Sequence, residues 1–326
     1  MRKKTKLVLL FISLLINISN AQVFKTDDFK YEITINDGIV NGKYVSWYPN
    51  GVKRSEGSFR DNQRINIWTI WDSLGRVRMV RDYQNLFLYK TLKAENVEGD
   101  NNLINVDNIF IKDTSFDTLK LNEEGYYPFY KLSPKDILVS KRIWRFVDSN
   151  FERNHFLFDD NKMFNLIVKN IELNKLLAYD SDMFVNKIDA KDIKKKLDSI
   201  KFNVVSYKIK EDWFFDTVRN ISETRIIALC PVIRIKETKI EQDLIWIYYP
   251  DFRKILATEK IVVRENNNSA INTLDDIFMF RFFNSRIYKF DNEIIESNNF
   301  LKNNNLDYLT VYLIEKEHDA WLSITE

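Results

Sequence analysis

The sequence predicts an α+β protein, in which a small N-terminal antiparallel β-meander precedes a mixed α/β C-terminal domain. Three observations favour this class. Residues 29–35 alternate apolar and polar side chains, as a half-buried strand does, and hairpin turn signals follow at Asp37-Gly38 and Asn50-Gly51. Helical apolar periodicity appears only later, in residues 161–177 and 189–200. The chain has 326 residues, 45% of them hydrophobic, which is enough for about two domains of roughly 150 residues each.

The first 21 residues predict a secretory signal peptide. Basic residues precede an apolar stretch at 7–18 that is too short to favour a membrane span, and Ser19-Asn20-Ala21 supplies a small-residue cleavage site. The alternative is a signal anchor. No cysteine lies at the cleavage point, which argues against a lipoprotein, and no later segment is apolar and long enough to cross a bilayer.

A repeat follows the signal peptide. Tyr44, Trp47 and Gly51 of YVSWYPNG (residues 44–51) recur 24 residues later as Trp68, Trp71 and Gly75 of WTIWDSLG (residues 68–75). Each unit predicts an aromatic strand, a tight turn and a returning strand, in a meander that ends near Tyr89. The units resemble MORN-like repeats of the YwqK antitoxin-like type, and Trp47-Tyr48-Pro49-Asn50-Gly51 carries the resemblance best. It implies a β-hairpin module over residues 22–92 and says little about function.

Residues 93–124 are polar and rich in Asn and Asp, which predicts a linker between the two parts of the chain. A short strand is expected within it at Ile109-Phe110-Ile111. The C-terminal domain is then expected to cover residues 125–326.

Start signals place two further helices in this domain. Ser133-Pro134-Lys135-Asp136 combines an N-cap serine, a first-position proline and an acid in the first turn. Thr273-Leu274-Asp275-Asp276 has the spacing of a capping box and predicts a helix through Phe282. Strands are predicted at 203–210, 224–235 and 243–249, whereas residues 311–321 fit either a strand or a last helix.

The densest stretch of the chain is KIKEDWFFD, residues 208–216. Apolar and polar side chains alternate up to Lys210, but at Trp213, Phe214 and Phe215 both faces of the expected strand become apolar. This change is typical of a strand that passes beneath another part of the fold or beneath a partner.

The sequence offers no recognisable set of catalytic residues. Two histidines, His155 and His318, and one cysteine, Cys230, do not make a ligand set for a structural zinc. The motifs HExxH, GxSxG, GxxxxGK[ST] and GxGxxG are absent, although counting alone leaves a Ser-His-Asp triad open. Both histidines are interpreted as surface or helix-end residues, and Cys230 as a buried small apolar residue. We predict no catalytic, metal-binding or cofactor-binding residue.

Three pairs of adjacent carboxylates are candidates for an acid pair: Glu211-Asp212, Asp275-Asp276 and Asp159-Asp160. A glycosidase needs two carboxyl groups that face each other across a substrate. Neighbours in a strand point to opposite faces, and neighbours on a helix do not face each other, so none of these doublets is a dyad by itself. Asp275 and Asp276 are interpreted as first-turn acids of a helix.

Charge gives no support for nucleic-acid binding. The whole chain has 49 basic and 47 acidic residues, and removal of the four basic residues of the signal leaves 45 against 47, a net charge of −2. The run Lys194-Lys195-Lys196 is interpreted as the solvated face of a helix, with a phosphate-binding patch as the alternative.

Several blocks, in order along the C-terminal domain, resemble the GldN/PorN family of gliding-motility and Type IX secretion ring subunits of Bacteroidetes. The blocks are SPKDILVSKRIWRFVD (133–148), LLAYDSDMF (176–184), YKIKEDWFFDTVRNISETRIIALCPV (207–232), LIWIYYPDFRKILA (244–257), TLDDIFMFRFF (273–283) and EHDAW (317–321). The residues expected to serve as family-motif or structural positions are Arg142, Trp144, Arg145, Lys210, Glu211, Asp212, Trp213, Phe214, Phe215, Arg225, Trp246, Pro250, Asp275, Asp276, Phe278 and Trp321.

The resemblance implies a non-enzymatic periplasmic subunit without a cofactor. It implies as partners an outer-membrane lipoprotein of the GldK/PorK type and further copies of the chain, in a ring held at the outer membrane by the lipoprotein. The N-terminal repeat module is not part of the usual family pattern. The alternative is a periplasmic binding or hydrolytic protein that acts on envelope glycans through patches of aromatic and acidic residues.

Overall fold

The computed structural model describes residues 22–25, 30–36, 39–83, 90–93, 120–261, 271–291, 293–294 and 307–325. Its architecture confirms the predicted α+β class, with an antiparallel β-meander followed by a mixed domain. The predicted signal peptide, the turn at Asp37-Gly38 and the strand at Ile109-Phe110-Ile111 lie outside the described residues.

In the described part of the chain, the N-terminal sheet is an antiparallel meander of seven strands, each paired with the next in sequence. The strands are β1 (Gln22–Lys25), β2 (Lys30–Asn36), β3 (Ile39–Trp47), β4 (Lys53–Arg60), β5 (Gln63–Trp71), β6 (Val77–Tyr83) and β7 (Lys90–Lys93). The meander therefore extends slightly beyond the predicted end near Tyr89, because β7 pairs with β6.

The two sequence units of this sheet form equivalent turns. Gly51 and Gly75 adopt φ angles of +82° and +81°, in the left-handed region that favours glycine. The turns are joined side by side, since Asn50 Nδ2 donates to the Ser73 carbonyl at 2.8 Å. A third glycine serves close packing, because a Cβ at Gly57 would lie 2.1 Å from the ring of Trp68.

The described C-terminal sheet contains nine strands, ordered β10-β9-β14-β12-β11-β8-β15-β16, with β13 paired to β12. Its long central strands, β11 and β12, pair antiparallel over their whole length. The strands are β8 (Ile137–Asp148), β9 (Ala178–Tyr179), β10 (Lys187–Ile188), β11 (Phe202–Asp216), β12 (Ile221–Ile235), β13 (Glu241–Asp243), β14 (Trp246–Tyr248), β15 (Arg286–Phe290) and β16 (Glu293–Ile294).

Helices pack on one side of this sheet and between the two sheets. They are α1 (His155–Phe158), α2 (Lys162–Glu172), α3 (Ala190–Asp198), α4 (Tyr249–Leu256), α5 (Leu274–Met279) and α6 (Asp307–Thr325). The helices predicted within 161–177 and 189–200 are confirmed as α2 and α3. The capping box at Thr273 is also confirmed, since Asp276 N–H donates to the threonine hydroxyl at 3.2 Å.

Two of the predicted helices are shorter than expected. Ser133-Pro134-Lys135-Asp136 has its capping box, but the helix is a single 3-10 turn (Pro134–Asp136) that leads at once into β8. Pairing of the whole of β8 with residues 206–216 of β11 outweighs the local helix signal there. Helix α5 ends at Met279, before the predicted Phe282, and Arg281 follows with a positive φ of 52°.

Helix α6 lies between the two sheets. Val311 and Ile314 join the aromatic core of the N-terminal sheet, whereas Leu309 and Leu313 join a cluster on the C-terminal sheet. The residues 311–321, which fitted a strand or a helix, are thus helical. A helix buried on opposite sides needs apolar residues around most of its circumference, which explains why no single apolar stripe marked it.

Candidate functional site at the junction of the two sheets

A buried carboxylate, Glu211, lies at the centre of the junction. It sits in the middle of β11, and 0% of its surface is exposed. Arg145 of β8 donates through Nε to its Oε1, and Arg281 donates through Nη1 to its Oε2 at 2.8 Å. Burial acts to raise the pKa of Glu211, but the two guanidiniums outweigh burial and lower the pKa. The carboxylate is therefore ionised at neutral pH and anchors both arginines.

Its neighbour Asp212 points to the opposite face of the sheet. There its carboxylate accepts from Arg142, with Nη2 to Oδ2 at 3.1 Å, and both side chains are partly exposed. The doublet Glu211-Asp212 is thus divided between two faces and two ion pairs. The geometry does not offer the two convergent carboxylates that an acid-base pair requires.

The apolar run after this doublet is covered on both faces, as its pattern predicted. Trp213 packs against α6 on the inner face, and Phe215 packs there with Trp321. Phe214 faces the other way and lies under the guanidinium of Arg225, 5.1 Å from the ring centroid. The cover is therefore part of the same chain, chiefly the helix α6.

A buried polar cluster joins α6 to the N-terminal sheet. Glu315 accepts from the hydroxyl of Tyr44 and pairs with Arg54, and all three side chains are buried. One turn further along the helix, His318 Nδ1 lies 3.1 Å from the hydroxyl of Ser55. Such buried charges are costly unless they are paired, so these contacts hold the helix and the sheet in one relative position.

A second ion pair continues the cluster. Arg64 of β5 pairs with Glu317, and its guanidinium lies 4.9 Å from the ring centroid of Trp68 and 5.2 Å from that of Trp321. The arginine is therefore held between two indole rings as well as by a carboxylate, which is a favourable environment for a desolvated cation.

The interpretation of His318 as a surface or helix-end residue was wrong. The side chain has 0% exposure and stacks on Trp321 in the interior of α6, with ring centroids 5.4 Å apart. Burial, and then the charges of Arg64 and Arg54, lower the pKa of His318 well below its usual value of 6.5. His155 does lie at a helix end, at the start of α1. Cys230 is buried as expected, and burial raises the pKa of its thiol.

On the outer face of the C-terminal sheet, Trp144, Lys210 and Trp246 form a separate group. Trp144 Nε1 donates to Asp182 Oδ2 at 2.7 Å, and Lys210 Nζ donates to the Asp182 carbonyl at 2.8 Å. Trp246 packs beside Trp144 in one apolar cluster. These residues fasten the loop between β9 and β10 onto the sheet.

The fastened loop, residues 180–186, displays two apolar side chains. Met183 is 68% exposed and Val185 is 74% exposed, while Phe184 between them turns inward onto Tyr179 and Tyr248. Phe184 has a φ of +58°, which is unusual and strained for a bulky residue. The loop is thus anchored at Asp182 and exposes apolar side chains.

The remaining motif residues support helices α4 and α5. Asp275 is fully buried and accepts from Arg253, with Nε to Oδ1 at 2.9 Å and Nη2 to Oδ2 at 2.8 Å. Burial raises the pKa of Asp275 although Arg253 opposes the shift. Asp276 completes the capping box, Phe278 joins the main core, and Pro250 lies in the first turn of α4. The two aspartates thus have separate structural contacts.

A cleft of about 450 Å³ opens where the N-terminal sheet, α6 and the ends of β11 and β12 meet. Arg145, Trp213 and Arg281 are among its lining residues, so the buried Glu211 centre forms part of its wall. Arg64, Arg145 and Arg281 come from three different parts of the chain, and their convergence is a tertiary property that no local motif signals. Within the described residues, no cluster of three His, Cys, Asp or Glu side chains is suited to a metal ion.

These contacts define the protein as a two-sheet α+β assembly in which buried carboxylates such as Glu211, Asp275 and Glu315 are held in internal ion pairs. None of the described helices is both long and apolar enough to cross a membrane. Residues 132–321, more than half of the chain, match the family described as Gliding motility associated protein GldN, and the chain belongs to this family. The comparison with curated proteins gave no match.

Membership makes the chain a component of the gliding-motility and type IX secretion machinery of the cell envelope. The family is a structural one and not a known enzyme family. The match begins after the N-terminal sheet and ends within α6, so the helix that binds the N-terminal sheet belongs mostly to the matched region.

Proposed function

We propose that the protein is a non-enzymatic periplasmic subunit of the type IX secretion and gliding-motility ring. Its partners are an outer-membrane lipoprotein of the GldK/PorK type and further copies of the chain. The observation that carries the proposal is the family match over residues 132–321. The sequence adds a predicted signal peptide at 1–21 and no cysteine at its cleavage point, which suits a protein held at the outer membrane by another chain.

The proposed organisation keeps the sequence-based divisions: a signal peptide (1–21), a MORN-like module (22–92), a linker (93–124) and a GldN-like domain (125–326). The positions from Arg142 to Trp321 that were singled out as family-motif residues are proposed to act by packing and ion pairing. Supporting this, Glu211, Asp275 and Asp276 each bond to neighbouring groups of the same chain.

The anchored loop 180–186 is the proposed contact point for assembly. Met183 and Val185 stand in solvent on a loop that Asp182 ties to two residues of the sheet, Trp144 and Lys210. An anchored loop loses little conformational freedom when it binds. Most of the free energy gained by burying its exposed apolar side chains is then available for association.

The test is co-purification of the tagged full-length protein from detergent-solubilised envelopes of the cells that encode it. The unchanged protein is expected to bring down the lipoprotein and to elute as a large assembly. The double variant Met183→Asp, Val185→Asp should lose the large assembly and keep its melting temperature. The matched control is Ile240→Asp, because Ile240 is also an exposed apolar residue, at 59%, in a different turn. Recovery of the unchanged protein only as a monomer without a lipoprotein would refute the proposal.

A second candidate function, binding of envelope glycans, has one observation in its favour. Trp47 and Trp71 are both partly exposed on the outer face of the N-terminal sheet, and Trp71 lines a shallow depression of about 370 Å³. Lys30 and Lys53 lie over these rings, at 4.9 Å and 5.4 Å from the centroids. Pull-down on peptidoglycan that is lost in Trp47→Ala or Trp71→Ala would support it, and no retention of the unchanged protein would exclude it.

A further inference from the structure

The cleft at the junction has an unbalanced set of charges. Its walls combine the guanidiniums of Arg145 and Arg281 with the aromatic rings of Trp213, Phe280 and Phe283. The two guanidiniums share one carboxylate, that of Glu211, so this wall of the cleft has one more positive charge than negative. Arg145 is mostly buried, which makes an uncompensated charge there costly.

The other carboxylates that line the cleft have partners of their own. Glu317 pairs with Arg64, and Glu223 pairs with both Arg219 and Arg225. Among the described residues, therefore, no acid of the cleft is left to balance the second guanidinium of the Glu211 centre. Burial lowers the pKa of Arg145, Glu211 opposes that shift, and the neighbouring positive charge of Arg281 lowers the pKa further.

The same arginines have donors left over. A guanidinium carries five N–H donors. Arg145 reaches Glu211 through Nε, and Arg281 reaches it through Nη1 and Nη2, at 2.8 Å and 3.3 Å. Arg281 is also partly exposed, and its guanidinium stacks 5.1 Å from the ring centroid of Phe283. The wall thus presents positive charge, free donors and an aromatic surface together, which is the environment of a site for an organic anion.

We propose that this cleft is a binding site for a carboxylate attached to an apolar group. The carboxylate takes the unused donors of Arg281 and Arg145, and the apolar group packs on Phe280, Phe283 and Trp213. The bound anion gives the Glu211 centre two carboxylates for two guanidiniums, so binding neutralises the wall. A volume of about 450 Å³ suits a small acid or the last residue or two of a peptide chain.

The two sources of such a carboxylate are separated by the choice of probes. Calorimetric titration of the full mature chain uses phenylacetate, its neutral analogue phenylacetamide, and a short peptide ending in Phe with either a free or an amidated C-terminus. Phenylacetate or the free-acid peptide is expected to bind with Kd below about 1 mM, and the neutral partner of each at least about tenfold more weakly. Binding of phenylacetate alone assigns the site to small acids, and tighter binding of the free-acid peptide assigns it to chain termini.

Two variants locate the binding. Arg281→Gln keeps the Arg145–Glu211 pair and should weaken the acid probes by about tenfold or more, while Arg234→Gln, in a surface ion pair, should not change them. If Arg281→Gln does not fold, Gln63→Trp at the cleft should abolish binding by occupying the space without touching Glu211. No binding to the unchanged protein, or equal binding of acid and amide, would overturn the proposal. The titration requires no partner protein, so its result is independent of assembly into a ring.

Discussion

The two sheets achieve their burial in different ways. The C-terminal sheet has five helices, α1 to α5, in the apolar core on its inner face. The N-terminal sheet instead closes its aromatic core with α6, a helix from the far end of the chain, and fixes it with buried pairs such as Arg54–Glu315 and Arg64–Glu317. Apolar burial supplies stability without direction, whereas buried ion pairs tolerate only one arrangement. We infer that the ion pairs determine where the N-terminal sheet sits.

The largest expected loss of stability comes from removal of a buried apolar side chain of the C-terminal sheet. Trp213→Ala should lower the free energy of unfolding by about 3–5 kcal/mol, because Trp213 is buried between the C-terminal sheet and α6. Urea unfolding followed by fluorescence and circular dichroism measures the loss. Trp71→Ala, on the partly exposed outer face of the other sheet, is the control and should cost far less. An unchanged melting temperature for Trp213→Ala would show that the site is not part of the core.

Substitution of the neighbouring residues Glu211 and Asp212 compares the contribution of a buried ion pair with that of a partly exposed one. Glu211→Ala leaves Arg145 and Arg281 without their shared carboxylate and should cost about 3–5 kcal/mol, because breaking a buried pair leaves uncompensated charge. Asp212→Ala removes only a partly exposed pair with Arg142 and should cost about 0–1 kcal/mol. Equal losses in the two variants, measured by urea unfolding, would contradict the distinction between the faces.

The polar attachment of the N-terminal sheet is tested by Tyr44→Phe. The change removes one hydroxyl that donates to buried Glu315 and keeps the ring in place, so the expected loss is about 1.5–3 kcal/mol. In the variant, amide hydrogen exchange should become faster in β3 and β4 by a larger factor than in β11 and β12. Equal acceleration in both sheets would mean that the N-terminal sheet does not open separately.

The smallest effect is a dependence on pH. Unfolded histidine titrates near pH 6.5, whereas burial and then Arg64 and Arg54 hold the pKa of His318 well below that value. The unfolded state therefore binds more protons as the pH falls below about 6.5, and stability should drop by about 1.4 kcal/mol per pH unit until the folded pKa is reached.

Unfolding at pH 7.5 and 5.5, in the unchanged protein and in His318→Gln, measures this contribution. The variant should be less sensitive to pH over this interval. Glu211 acts in a different window, because its lowered pKa affects stability only as the pH falls through and below about 4.5. A variant that keeps the full pH dependence would assign the effect to another group.

Local signals in the sequence predicted much of the fold. Alternation predicted the N-terminal strands, and apolar periodicity predicted α2 and α3, because each pattern reflects one buried face. The pattern of KIKEDWFFD predicted that β11 would be covered on both faces. Where a local helix signal competed with strand pairing, as at Ser133-Pro134, pairing with a distant strand decided the outcome.

The junction could not be predicted in the same way. Arg54 and Arg64 look like ordinary strand residues, and their carboxylate partners lie more than 250 residues away on α6. Likewise, His318 has an unremarkable setting in EHDAW, and only the packing of α6 between two sheets makes it a buried residue. The run Glu315-Lys316-Glu317-His318-Asp319 is continuously polar, as a solvent-facing segment is, so no local signal marked these side chains as buried.

The position of α6 also has a consequence for how the chain folds. The hydroxyl of Tyr44 and the carboxylate it reaches are separated by 271 positions, so the aromatic face of the first sheet cannot be closed until nearly the whole chain is available. Contacts at such separation carry a large loop-closure entropy and slow the approach to the native state. During synthesis, Trp68 and its apolar neighbours in the N-terminal sheet therefore stay exposed until α6 has been made. A chaperone that binds exposed apolar surface would bind the chain at this stage.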